Sequence, residues 1–123
     1  MAAIRWHRVR KGRPEQLAEG ALLGVRVGGR AVCIVRHQGR LHALLDRCPH
    51  QGSSFIGGWC EDACVVCPVH QMGFDLRTGR NRAGGAETAV VYPVQERADG
   101  VYIGIPRRGL RLFGFRWGGG PDR

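Results

Sequence analysis

Cys48-Pro49-His50-Gln51-Gly52 and Cys67-Pro68-Val69-His70 are the two stretches whose reading decides this chain. The first spaces its metal-binding side chains C-x-H, the second C-x-x-H, and sixteen residues lie between His50 and Cys67. Either half alone is weak. Both halves in this order offer two thiols and two imidazoles from two short Pro-containing turns, a soft donor set suited to zinc or to iron–sulfur chemistry.

The second stretch runs on as Gln71-Met72-Gly73-Phe74-Asp75-Leu76-Arg77-Thr78-Gly79. A C-P-x-H pair followed by F-D-x-x-T-G resembles the second cluster loop and following strand of the Rieske iron–sulfur family. The resemblance spans residues 4–106, and its specific part is confined to 46–79. It implies a Rieske-type [2Fe–2S] cluster, with Cys48 and Cys67 on one iron and His50 and His70 on the other. Zinc takes the same donor types, and Cys60 and Cys64 offer further thiolates, so a zinc-binding interaction module is the alternative from another class. Against zinc stand the C-x-H half, which is shorter than the usual spacing of zinc-finger pairs, and the F-D-L-x-T-G tail, for which zinc has no use. Cys60 and Cys64 flank Glu61-Asp62-Ala63 and read as free thiols on either side of a turn. Cys33, inside Ala31-Val32-Cys33-Ile34-Val35, reads as a small buried hydrophobe. His7, His37 and His42 read as strand residues rather than ligands.

Three departures from the family pattern carry information. Family members commonly place Gly directly after the second His, where this chain has Gln71; Gly73 follows two residues later, which implies a turn displaced towards it. The membrane-bound members join their two cluster loops with a disulfide, and the corresponding positions here are Ser53 and Val69, so that bridge cannot form. High-potential members place hydroxyl donors two and four residues after the second His, where this chain has Met72 and Phe74. Without those hydrogen bonds to sulfur, the potential is expected in the lower part of the family span of about −150 to +300 mV.

Composition is consistent with one small domain. The 123 residues suffice for a core without disulfides, and five cysteines cannot make a complete disulfide framework. No apolar stretch reaches bilayer length, and the first residues lack the apolar segment of a secretory signal, so the expectation is a cytoplasmic protein without a membrane partner. The formal net charge of +9 could mean nucleic acid, but no such motif is present and the charges read as scattered. Steering towards acidic redox partners is the functional reading of that charge.

Turn signals are frequent. Gly28-Gly29 separates Val25-Arg26-Val27 from Arg30–Val35 as a two-residue hairpin; Gln38-Gly39 turns the chain into Leu41–Leu45; Asp99-Gly100 separates Val94–Arg97 from Val101–Ile105. Pro14–Gly20 reads as a single helical turn. Many short strands predict an all-β fold, an antiparallel sandwich or barrel with a small cluster-binding subdomain inserted at about 46–76. Residues 1–106 would form the single domain. Residues 107–123 would form a basic, aromatic extension, either a last strand or a docking patch, ending in a disordered tail.

The function implied by the resemblance is that of a soluble Rieske ferredoxin. Such a protein is a monomeric one-electron carrier, not an enzyme by itself, and passes electrons from an NAD(P)H-dependent flavoprotein reductase to a Rieske oxygenase of the aromatic-ring dioxygenase type. A Rieske small subunit of an assimilatory nitrite reductase is the alternative within the family.

Overall fold

A computed structural model of the protein describes residues 4–107. The chain runs through β1 (Ile4–Arg8), a 3-10 turn (Pro14–Gln16), β2 (Leu22–Val27), β3 (Arg30–His37), β4 (Arg40–Leu45), β5 (Trp59–Glu61), β6 (Cys64–Val66), β7 (Gly73–Asp75), β8 (Val91–Tyr92), β9 (Val94–Arg97) and β10 (Gly100–Pro106). These form three antiparallel sheets, ordered β1-β10-β9, β2-β3-β4-β8 and β5-β6-β7. The all-β expectation holds, and the cluster segment is the third sheet with its loops. The proposed extension beyond Arg107 lies outside the described residues.

The four-stranded sheet is the middle layer. Val32, Ile34, Leu41 and Ala43 point to one side, where they meet Val101, Ile103 and Ile105 of the first sheet. Cys33, Val35 and Leu44 point to the other, where they meet Phe55, Val65, Phe74 and Leu76 of the cluster subdomain. With both faces covered, β3 has no reason to alternate, which explains the unbroken run Val32-Cys33-Ile34-Val35, all fully buried. Each such Val or Ile side chain contributes about 1.5–3 kcal/mol by leaving water. Pro93 sits where the chain leaves β8 in the middle sheet for β9 in the first. Lacking an N–H it can donate to neither ladder, while its carbonyl accepts from Gly104 at 2.9 Å.

The turns follow their residues, with two exceptions. Val27 pairs with Arg30 across Gly28-Gly29, and His37 with Arg40 across Gln38-Gly39, as expected. Near the end, Arg97 pairs with Gly100, so the loop is Ala98-Asp99 and Gly100 opens β10, one residue earlier than the Asp99-Gly100 signal implied. Here Tyr102 Oη donates to Asp99 Oδ2 at 2.8 Å, holding the aspartate inside the loop. Between β5 and β6 the loop is Asp62-Ala63, both left-handed at φ 52° and 62°, a conformation that hairpins usually give to Asn-Gly. Among the described residues no helix is long and apolar enough to cross a membrane.

Two substitutions test this account. Ala63→Gly should relieve the left-handed strain and stabilise the protein by about 0.5–1 kcal/mol, read as a raised denaturation midpoint. Gly58→Ala should cost about 3 kcal/mol or more, because a Cβ there runs into the Val66 carbonyl oxygen and lies 3.1 Å from Pro68 Cδ. Chemical denaturation of both variants beside wild type gives the comparison.

Candidate metal centre

Two loops built alike bring the four predicted residues together. The first follows β4: Cys48 N–H donates to Ser53 O at 2.7 Å, and Gly52 N–H returns to Cys48 O at 2.7 Å. The second joins β6 to β7: Cys67 N–H donates to Met72 O at 2.9 Å, and Gln71 N–H returns to Cys67 O at 2.8 Å. Each loop thus turns back on its own cysteine, with the fourth residue after that cysteine in the left-handed region, Gly52 at φ 81° and Gln71 at φ 58°. The expected displacement of the second turn towards Gly73 does not occur. Gln71 takes the strained conformation itself, and Gly73 lies instead in β7, where the Arg82 side chain packs over the space a Cβ would fill.

The result separates the two donor types by depth. Cys48 and Cys67 are 2% and 1% exposed, while His50 and His70 lie at the surface. The imidazoles stand edge to face at 86°, with their Nδ1 atoms 3.2 Å apart. A metal about 2.1 Å from each nitrogen would hold them about 3.0–3.4 Å apart for angles from 90° to tetrahedral, so this pair fits a shared ion. Burial pushes the Cys48 thiol up, and the neighbouring Cys67 adds to that, whereas the backbone N–H groups of His50 and Gln51 favour its thiolate. Those N–H groups can equally serve a metal-bound sulfur. Among the described residues, no three His, Cys, Asp or Glu side chains converge as a single ion would require. A paired arrangement, with thiols below and imidazoles above, suits a two-metal centre better than lone tetrahedral zinc.

The support comes partly from residues that sequence reasoning did not single out. Asp46 accepts from Ser54 Oγ at 2.6 Å and from Phe55 N–H at 2.7 Å, and its own N–H donates to Ala31 O at 2.9 Å. One carboxylate thereby ties the segment after the first loop to the middle sheet. Its signal, an acid two residues before Cys48, is too common to be found without the structure. Asp75 has the analogous role in the F-D-L-R-T-G turn: burial works against its charge, but Thr78 and Arg77 N–H groups at 2.8 and 2.7 Å outweigh it and hold the carboxyl below its usual range. Phe55 and Phe74 pack edge to face at 5.9 Å beneath the loops.

The remaining candidates stand apart. Register puts Cys60 opposite Val65 and Cys64 opposite Glu61, so the two thiols point to opposite faces of the β5–β6 hairpin. Burial raises the pKa of both. Cys60 Sγ lies 3.9 Å from His37 Nδ1, and Cys33 is fully enclosed, with burial pushing its thiol far up. No disulfide joins any of the five cysteines. His7, His37 and His42 sit on β1, β3 and β4 as expected.

Comparison with known proteins agrees with this geometry. Residues 6–95 match the Rieske [2Fe-2S] domain. The ferredoxin component of the naphthalene 1,2-dioxygenase system of Pseudomonas aeruginosa is 31% identical over 91 residues, covering 73% of this chain and 88% of its own. In fold, the ferredoxin of carbazole 1,9a-dioxygenase from Nocardioides aromaticivorans superposes with a TM-score of 0.70 at 23% identity, over 86% of this chain and all of that one. A Mycobacterium tuberculosis chain described as an NADH-dependent nitrite reductase small subunit gives 0.72 at 22% identity, over 87% of this chain and 98% of that one, so it shares the fold as well. The chain belongs to the Rieske [2Fe–2S] domain family, and the centre it carries is a Rieske-type [2Fe–2S] cluster.

Proposed function

We propose that this protein is a ferredoxin that takes single electrons from an NAD(P)H-dependent flavoprotein reductase and delivers them to a Rieske oxygenase of the aromatic-ring dioxygenase type. It would act as a cytoplasmic monomer. In this reading Cys48 and Cys67 hold the inner iron, and His50 and His70 hold the outer one. The observation that carries it is the buried thiol pair beneath an exposed imidazole pair.

The residues divide the work. When bound, the cluster supplies one-electron chemistry with no coordination position left open for substrate. Cys48 and Cys67 keep their sulfurs out of water in the layer above Phe55 and Phe74. His50 and His70 face each other through Nδ1, which leaves the opposite ring edges for solvent or a partner to approach. Around them Ile56 and Val69 are exposed apolar side chains, 42% and 52% accessible. Residues 49–56 and 68–72 carry no charge. Arg47 borders the first loop, its guanidinium 3.4 Å from where a Cβ at Gly52 would stand. A small, uncharged, partly apolar face suits brief docking, because little polar surface must be desolvated at each encounter.

Two measurements bear on this reading. NADH-driven turnover by the flavoprotein reductase and oxygenase of a ring-hydroxylating system should depend on added protein. Turnover indifferent to it, together with stable co-purification on a large sirohaem subunit, would favour the nitrite reductase alternative. Voltammetry at neutral pH should place the potential below about 0 mV, since Met72 and Phe74 offer no hydroxyl to sulfur. A value well above that would contradict the low-potential ferredoxin assignment.

A further inference from the structure

Folding brings Arg26 of β2 beside a basic stretch that runs through β1 and just past it, Arg5 to Lys11. A groove of about 1040 Å³ runs between β1 of the first sheet and β2 of the middle sheet, and Arg5, Arg8, Arg10, Lys11 and Arg26 line it. Trp6 and Val25 supply apolar wall, and among the described residues Asp46 is the only carboxylate of the lining. Asp46 is already committed to Ser54 and Phe55. Arg26 is held by the Gly29 carbonyl at 2.8 Å, and among the described residues none of the five cations has an ion-pair partner. The ion pair found among those residues, Arg82 with Glu61, lies in the cluster subdomain.

Topology explains why the groove exists. Among the described residues β1 pairs with β10 alone and β2 with β3 alone, so among them each is the outer strand of its sheet. At one end His7 crosses towards Gly28, where a Cβ would stand 2.9 Å from its Nε2. Gly24 of β2 lines the groove, and a Cβ on Gly24 would stand 3.1 Å from Ile56 Cγ1. Ile56 ends the uncharged stretch 49–56 that contains His50. At Gly24 the cationic groove therefore meets the far end of that uncharged stretch.

We propose that this groove receives an extended acidic peptide segment of the redox partner, its carboxylates on the five cations and its apolar side chains against Trp6 and Val25. The proposal rests on the electron-carrier reading for the partner's identity. Its physical content is charge complementarity: five cations lining one groove, without an ion-pair partner among the described residues, attract carboxylates from a distance and hold them at short range. The arrangement divides recognition in two, with steering in the groove and electron passage at the imidazoles.

The test uses the cluster-loaded protein and a short synthetic peptide alternating Glu and Val, with its Lys-Val counterpart as control. The acidic peptide should bind, weaken about tenfold or more when salt is raised to a few hundred millimolar, and lose about tenfold or more in affinity in the Arg8→Glu/Arg26→Glu double variant. An unchanged visible spectrum of that variant establishes that its centre is intact. Amide shifts on titration should fall on β1 and β2. Unchanged binding by the double variant, equal binding of the Lys-Val peptide, or displacement by a DNA duplex that binds more tightly would each overturn the proposal. Because peptide binding is read without electron transfer, loss of binding with normal reductase-to-oxygenase turnover would defeat the groove alone. Binding without turnover would defeat the carrier reading and leave the groove as an acidic-peptide site.

Discussion

Each cysteine of the centre closes its own loop, donating its N–H five residues ahead and accepting at its carbonyl from four residues ahead. Those four backbone hydrogen bonds set the depth of everything else. They press Cys48 and Cys67 into the layer above the middle sheet and leave His50 and His70, two and three residues further on, at the surface. They also demand a left-handed residue at the fourth position after each cysteine. Gly52 meets that demand without strain, whereas Gln71 meets it at about 1–2 kcal/mol, a cost the rest of the loop has to offset. The sheets below serve this constraint. A middle layer covered on both faces holds Phe55 and Phe74 still, and Asp46 fixes the first loop to that layer through two short hydrogen bonds.

Much of this was legible beforehand, for identifiable reasons. The four donor residues stand in two local motifs, and the hairpins at Gly28-Gly29 and Gln38-Gly39 carry residues that only a tight turn favours, so short-range chemistry revealed both. What escaped were features decided by tertiary context. Gln71 is a poor left-handed residue, so local propensity pointed to Gly73, but the hydrogen bonds to Cys67 overrode it. Asp62-Ala63 turns tightly because β5 and β6 must pair, not because its residues ask to. The basic residues read as scattered although Arg5, Arg8, Arg10 and Lys11 stand within seven residues of one another; what no local pattern announces is that Val25 and Arg26 of β2 join them along one groove.

Physically, the molecule separates two requirements that conflict at a single surface. Rapid passage of an electron needs a face with little to desolvate, and Ile56, Val69 and the two imidazoles provide it. Finding a partner at useful rates needs long-range attraction, which an uncharged face lacks. In this chain the net charge of +9 can act from the side, through a groove that meets Ile56, the end of the uncharged stretch 49–56, at Gly24.

Pulsed EPR of the chemically reduced protein, with iron and acid-labile sulfide measured on the same sample, tests the ligand assignment most directly. The account predicts two irons and two sulfides per chain, one unpaired electron, and hyperfine coupling to two imidazole nitrogens, with a changed coupling pattern when either His50 or His70 is replaced by Cys. Zinc without labile sulfide, or a cluster signal indifferent to both substitutions, would contradict it.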